Sequence, residues 1–99
     1  MIEINGRLFD WDTDKNIANI QKHGVSFKMA ATSFLDPMSI TFEDERHSQY
    51  EERFILIGAN KLNNLLTVCH CYRFGNVIRI ISARAANQHE QNIYGGDDV

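Results

Sequence analysis

At Asp36-Pro37 the hydrophobic period of these 99 residues passes from helical to alternating, and that change constrains the fold more than any other feature. Before it, Phe27, Ala30, Ala31, Phe34 and Leu35 recur at i, i+3, i+4, i+7 and i+8, the stripe of an amphipathic helix. Ser26 is placed to cap that helix and Asp36-Pro37 to end it. After it, Met38, Ile40 and Phe42 alternate with Ser39 and Thr41 in a strand. A polar loop follows from Glu43 to Glu52. Three more strands are expected at Arg53–Ala59, Leu65–Tyr72 and Val77–Ser82, joined by the turns Asn60–Asn64 and Phe74-Gly75-Asn76. Connections this short predict an antiparallel meander.

Helices flank this meander. Ile2 to Phe9 alternates loosely around the turn signal Asn5-Gly6, predicting a short first strand. Asp12 or Thr13 can cap a helix with Asp14 in its first turn, Ile17 and Ile20 on its buried face, and Lys22 and His23 in its last turn. Gly24 supplies its stop. Asn87, with Glu90 three residues on, predicts a short last helix to Tyr94. The elements predict one α+β domain over residues 1–94, with residues 95–99 a flexible tail. Its antiparallel β-sheet has about four to five strands, two N-terminal helices and a short C-terminal helix, with the helices on one face.

Composition narrows the function classes. A hydrophobic fraction of 43% with six Phe, three Tyr and one Trp argues for a packed globule rather than a disordered chain. No apolar run approaches the ~20 residues of a membrane span. The first residues lack a basic segment followed by an apolar one, so a cytoplasmic location is expected. Cys69 and Cys71 are two apart in a strand and point to one face, with His70 on the other. That arrangement gives neither an internal disulfide nor a metal-ligand set, and no metal or cofactor is expected.

The net charge is −3, but it is sorted along the chain. Residues 15–35 hold Lys15, Lys22 and Lys28 and no acid. Residues 36–52 hold six acids against Arg46 alone. From Arg53 to His89 there is no Asp or Glu, while Arg53, Lys61, Arg73, Arg79 and Arg84 supply five cations. Segregation of this kind favours an oriented partner. Arginine is the side chain best suited to two-point binding of phosphate oxygens, so the acid-free stretch points to a polyanion.

Several stretches together resemble the BrnT toxin family. They are Phe9-Asp-Trp-Asp12 with Lys15 and Asn19, Lys22-His-Gly-Val-Ser-Phe27, Glu52-Arg53 before a strand, Arg79-Ile-Ile-Ser-Ala-Arg84, and Glu90 with Tyr94. The resemblance runs over nearly the whole chain, in order. It implies a RelE-like fold and a type II toxin: a metal-independent endoribonuclease that blocks translation. It also implies a BrnA-like ribbon-helix-helix antitoxin as partner, with operator DNA bound only through that antitoxin. One departure stands out. The family usually continues Ser-Ala-Arg with Thr-Arg and a strongly basic last helix, whereas residues 85–92 here contain no Arg or Lys.

Cleavage of RNA by its own 2′-oxygen needs a base, a clamp on the phosphorane oxygens and an acid for the leaving 5′-oxygen. Arg53, Arg79 and Arg84 are the expected clamp. Arg79, between Ile78 and Ile80, should face away from the core. His47, Glu51 and His70 are the candidate proton carriers, in that order, with Glu52 beside Glu51. Lys22, Arg73 and Tyr94 are candidates for RNA binding. Each has an ordinary structural explanation as well: Lys22 answers the helix dipole, Arg73 sits at a turn and Tyr94 can pack its helix. The alternative function is a catalytically weak or inactive binding module that acts with its antitoxin as a transcriptional autoregulator. The nuclease reading requires the three clamp arginines to share one sheet face, free of internal carboxylates.

Overall fold

A computed structural model describes residues 1–96. The chain opens with a hairpin, β1 (Ile2–Ile4) and β2 (Arg7–Asp10). Asn5 and Gly6 both take positive φ, at 49° and 82°, which is the two-residue turn that matches strand twist. Helix α1 (Thr13–His23) starts at Asp12, whose carboxylate accepts from the Lys15 N–H, and stops at Gly24 with φ 72°. Helix α2 (Phe27–Ala31) is capped by Ser26 and tightens into a 3-10 turn, Thr32–Leu35. Strands β3 (Ile40–Glu43), β4 (Phe54–Ala59), β5 (Leu65–Arg73) and β6 (Val77–Ala85) follow, and α3 (Gln88–Gly95) closes the chain. Asn87 and Glu90 form a reciprocal capping box at its start. Of the tail expected at 95–99, Gly95 ends α3 and Gly96 caps it, while 97–99 lie outside the described residues.

The sheet has six strands in the order β1-β2-β6-β5-β4-β3. This corrects the expectation of an antiparallel sheet of fewer strands. The meander β3 to β6 is antiparallel throughout, but β2 docks on the open edge of β6 in parallel, Phe9 beside Ile78. The helices between β2 and β3 carry the chain to the far edge of the sheet, which leaves the edge of β6 to the N-terminal hairpin.

One face of the sheet carries the main core. Phe9, Leu56, Val68, Ile78, Ile80 and Ala83 pack under Phe27, Ala30, Ala31 and Phe34 from the α2 segment. Each fully buried large side chain contributes about 1.5–3 kcal/mol. The two alanines let α2 lie close to the strands. At Gly58 the approach is closer still: a Cβ there would stand 2.8 Å from the Ser33 carbonyl oxygen.

Two expectations about helices are corrected. Ile17 and Ile20 are 49% and 43% exposed, and the buried residue of α1 is Asn19. Its amide donates to the carbonyls of Val25 and Ala83 and accepts from the Ala83 N–H, tying α1 to β6 with polar contacts. The helices also do not all share one face. Helix α3 packs against β4 and reaches Arg84, which lies on the face away from the main core. Ile57, fully buried yet apart from the main cluster, lies on that second face.

Candidate active site

Arg79 and Arg84 are five apart, and in an uninterrupted strand they would point to opposite faces. They share a face because β6 carries one extra residue. Cys69 pairs with Ser82 and His70 with Ile80, so Ile81 has no partner. Before this bulge Ile78 and Ile80 enter the core, and after it Ala83 does. Arg79, Ser82 and Arg84 therefore all project from the second face, where Cys69 and Cys71 also lie. Burial pushes both thiols up from the ordinary cysteine value, so they are protonated at neutral pH.

The β3–β4 connection leans over this face. The Asp44 N–H donates to the Arg53 carbonyl at 2.8 Å, the Ser48 hydroxyl to the Asp44 carbonyl at 2.7 Å, and the Arg53 N–H to that hydroxyl at 3.0 Å. The closed loop and the sheet enclose a cavity of about 230 Å³ lined by Asp44, His47, Arg53, Ile55, Thr67, Cys69, Ile81, Ser82 and Arg84. Within it, His47 Nδ1 lies 2.8 Å from Asp44 Oδ2. The Asp44 side chain is 14% exposed and that of His47 64%. A mostly buried carboxylate thus orients a histidine whose other ring nitrogen is left for a ligand.

The arginines differ in their freedom. Arg84 is held by Glu90 through two hydrogen bonds, of 2.7 and 2.8 Å. That pairing raises the Arg84 pKa above the guanidinium value, against the opposing effect of burial. Burial pushes the Glu90 carboxyl up, but bonds from Arg84 and the Asn87 N–H outweigh it and hold the group below the carboxylate range. Arg79 meets Asp10 at 3.2 Å and lies on the same face outside the cavity lining. Arg73 is bound to Glu51. Arg53 touches Glu51 only at 4.0 Å, and its buried Nε has no acceptor among the described residues. The three expected clamp residues share a face, but freedom from carboxylates fails for Arg79 and Arg84. Of the three, Arg53 has the longest contact with a carboxylate among the described residues.

The remaining candidates lie elsewhere. His70 is 0% exposed in the main core, edge-on to Phe34 and Tyr72 and stacked on Phe54, with its pKa lowered to about 4 by burial. It has no route to a substrate. Glu51 accepts from Arg73, stands 4.0 Å from Arg53 and does not line the cavity. Lys22 is exposed at the end of α1, across the sheet. Tyr94 donates to Asp36 at 2.6 Å. Three bonds from Tyr94, Ala59 and Met38 offset burial there and keep the Asp36 carboxyl below its ordinary range. Sequence reasoning missed Asp44 and Ser82. The i, i+3 spacing of Asp44 and His47 was a usable signal for the first; Ser82 needed the bulge.

A family model described as the ribonuclease toxin BrnT of type II toxin–antitoxin systems matches residues 11–90. The chain belongs to the BrnT toxin family. Its relatives are ribonuclease toxins of type II pairs, and membership implies an antitoxin partner. The crystal structure of the Brucella abortus ribonuclease toxin BrnT has a similar fold, with a TM-score of 0.65 at 23% identity over 83% of this chain and 99% of that one. No curated protein sequence matches the chain. The matched span of this BrnT-family chain contains the whole cavity lining and Glu90.

Proposed function

We propose that this chain is an endoribonuclease whose active site is the cavity beneath the β3–β4 loop. The observation that carries the proposal is the sharing of one cavity by an Asp44-bound His47 and an Arg53 whose Nε lacks an acceptor among the described residues. Arg53 grips the non-bridging oxygens of the scissile phosphate. His47 takes the proton from the ribose 2′-hydroxyl through Nε2. The 2′-oxygen bonds to phosphorus, the bond to the 5′-oxygen breaks, and the 5′-oxygen leaves with a proton returned by the imidazolium or water. The products are a 2′,3′-cyclic phosphate and a 5′-hydroxyl. Such chemistry needs no metal, since base and charge clamp are side chains; general acid–base catalysis supplies ~10²–10⁴-fold. Ser82 and Arg84 form the far wall, and Arg79 gives the approaching strand a further positive contact.

In this reading the toxin, RelE-like in type, acts in the cytoplasm and blocks translation by cutting RNA. A BrnA-like ribbon-helix-helix antitoxin neutralises it and carries the pair to operator DNA. Expression of the chain alone should arrest bacterial growth, and Arg53→Ala or His47→Ala should relieve the arrest at equal protein level. Normal growth on expression of the unaltered chain counts against the proposal. A second reading is favoured by the carboxylates on Arg73, Arg79 and Arg84 and by the cation-free last helix. It is a binding module that works only with its antitoxin, and growth then continues although the antitoxin binds.

A further inference from the structure

Helix α1 buries Asn19 and leaves its apolar side outward, which is an unusual use of an amphipathic helix. The exposed side opens onto two adjoining grooves at one end of the molecule, of about 690 and 600 Å³, which share Met29. Ile20, Leu35 and Leu62, at 43%, 37% and 65% exposure, line them together with Val25. Large side chains left on a continuous surface mark an interaction site more often than chance. Lys28 and Lys61 stand in the larger groove, and among the described residues neither has a carboxylate within 4.0 Å. The acid in that lining, Asp36, already accepts from Tyr94, Ala59 and Met38. The smaller groove thus supplies the apolar Ile20, Val25 and Leu62, and the larger one beside it is open to anions at Lys28 and Lys61.

We propose that the two adjoining grooves together are where the antitoxin docks, through an acidic amphipathic segment. Apolar side chains at i, i+3, i+4 and i+7 of that segment enter against Ile20, Met29 and Leu62, and its carboxylates meet Lys28 and Lys61. RNA is the poorer fit: its phosphates match the lysines, but nothing in its backbone covers the apolar floor. The assignment rests on the antitoxin that family membership implies, not on the cleavage chemistry, because the larger groove and the Arg53 cavity lie on opposite faces of the sheet.

The test uses the whole chain with fluorescein-labelled helical peptides of roughly 16 residues, about four turns, with Leu at those spacings. One peptide has Glu at its flanking positions and its twin has Lys. The acidic peptide should bind at least about tenfold tighter than the twin, a difference of ~1.4 kcal/mol. Leu62→Asp should weaken it by a similar factor, and Lys28→Glu with Lys61→Glu should reverse the preference between the twins. All three positions are exposed, and circular dichroism confirms that the variants fold. The proposal is overturned by equal affinity for both peptides, or by no binding of the acidic one at about 1 mM. It is also overturned if Leu62→Asp abolishes binding of a labelled single-stranded RNA, or dissolves a dimer, while peptide binding is unchanged.

Discussion

Glu90 in α3 holds Arg84 in β6 through two parallel hydrogen bonds, and the same carboxylate caps its own helix at the Asn87 N–H. One acid thus fixes the last helix and occupies a cation at the wall of the proposed active site. The pair is bidentate and the Glu90 side chain is 12% exposed, so a phosphate reaches Arg84 only in competition with a strong internal partner.

Glu90→Gln separates these two duties. It removes the charge that neutralises Arg84, while the amide oxygen can still accept from the Asn87 N–H in the capping box. RNA binding should tighten, and the slope of log affinity against log salt should steepen by about 0.7, one further phosphate contact for a single strand. Thermal stability should fall by about 0.5–2 kcal/mol, through the weakened bonds to Arg84 rather than the cap. Fluorescence titration at several salt concentrations reads the first effect and a melting curve the second. An unchanged slope denies Arg84 any part in RNA binding.

Asp44→Asn tests how His47 is held. The amide keeps the shape of the carboxylate but can present an N–H to Nδ1, which favours the wrong tautomer. Cleavage should drop by about 10²-fold, mostly in kcat, with an altered pH profile and RNA affinity nearly unchanged. Single-turnover kinetics across pH make the comparison. A loss confined to KM would assign Asp44 to binding instead.

His70 makes stability depend on pH in a direction that can be worked out. Its folded pKa of about 4 lies below the ordinary 6.5, so between these values the unfolded chain binds the extra proton. Stability should therefore fall as pH drops from 6.5 towards 4, by on the order of 3 kcal/mol at most. Asp36 and Glu90, both depressed carboxyls, add losses at lower pH, as acid protonates them. His70→Leu should flatten the upper window and leave the lower one. Urea unfolding at pH 7, 5.5 and 4.5 distinguishes this from a His70 that titrates normally.

Much of the local structure was legible in the sequence because its causes are local. Asn5-Gly6 specified the hairpin turn, Ser26 and Asn87 the helix starts, Gly24 a stop, and the period change at Pro37 the passage from helix to strand. What escaped notice depends on residues far apart in sequence. The parallel seat of β2 on β6 leaves no periodic trace, and neither does the unpaired Ile81. Without that bulge, Arg84 could not be assigned to the face of Arg79. The polar bonds of Asn19 reversed the apolar reading of α1, since three hydrogen bonds to Val25 and Ala83 outcompeted the burial of Ile17 and Ile20.

Asn19→Ala measures that reversal. It strands the amide N–H and carbonyl of Ala83 beneath α1, each unsatisfied group costing ~1–3 kcal/mol. Destabilisation should be about 2–4 kcal/mol by urea titration. A loss under about 0.5 kcal/mol would show that water replaces the side chain and that α1 is held by other contacts.

The most direct test of the nuclease assignment is end-group analysis of single-stranded RNA incubated with the purified chain in excess EDTA. The account predicts fragments ending in 2′,3′-cyclic phosphate and 5′-hydroxyl groups, and their loss in Arg53→Ala. Intact RNA at high protein concentration, or cleavage that EDTA abolishes, contradicts it.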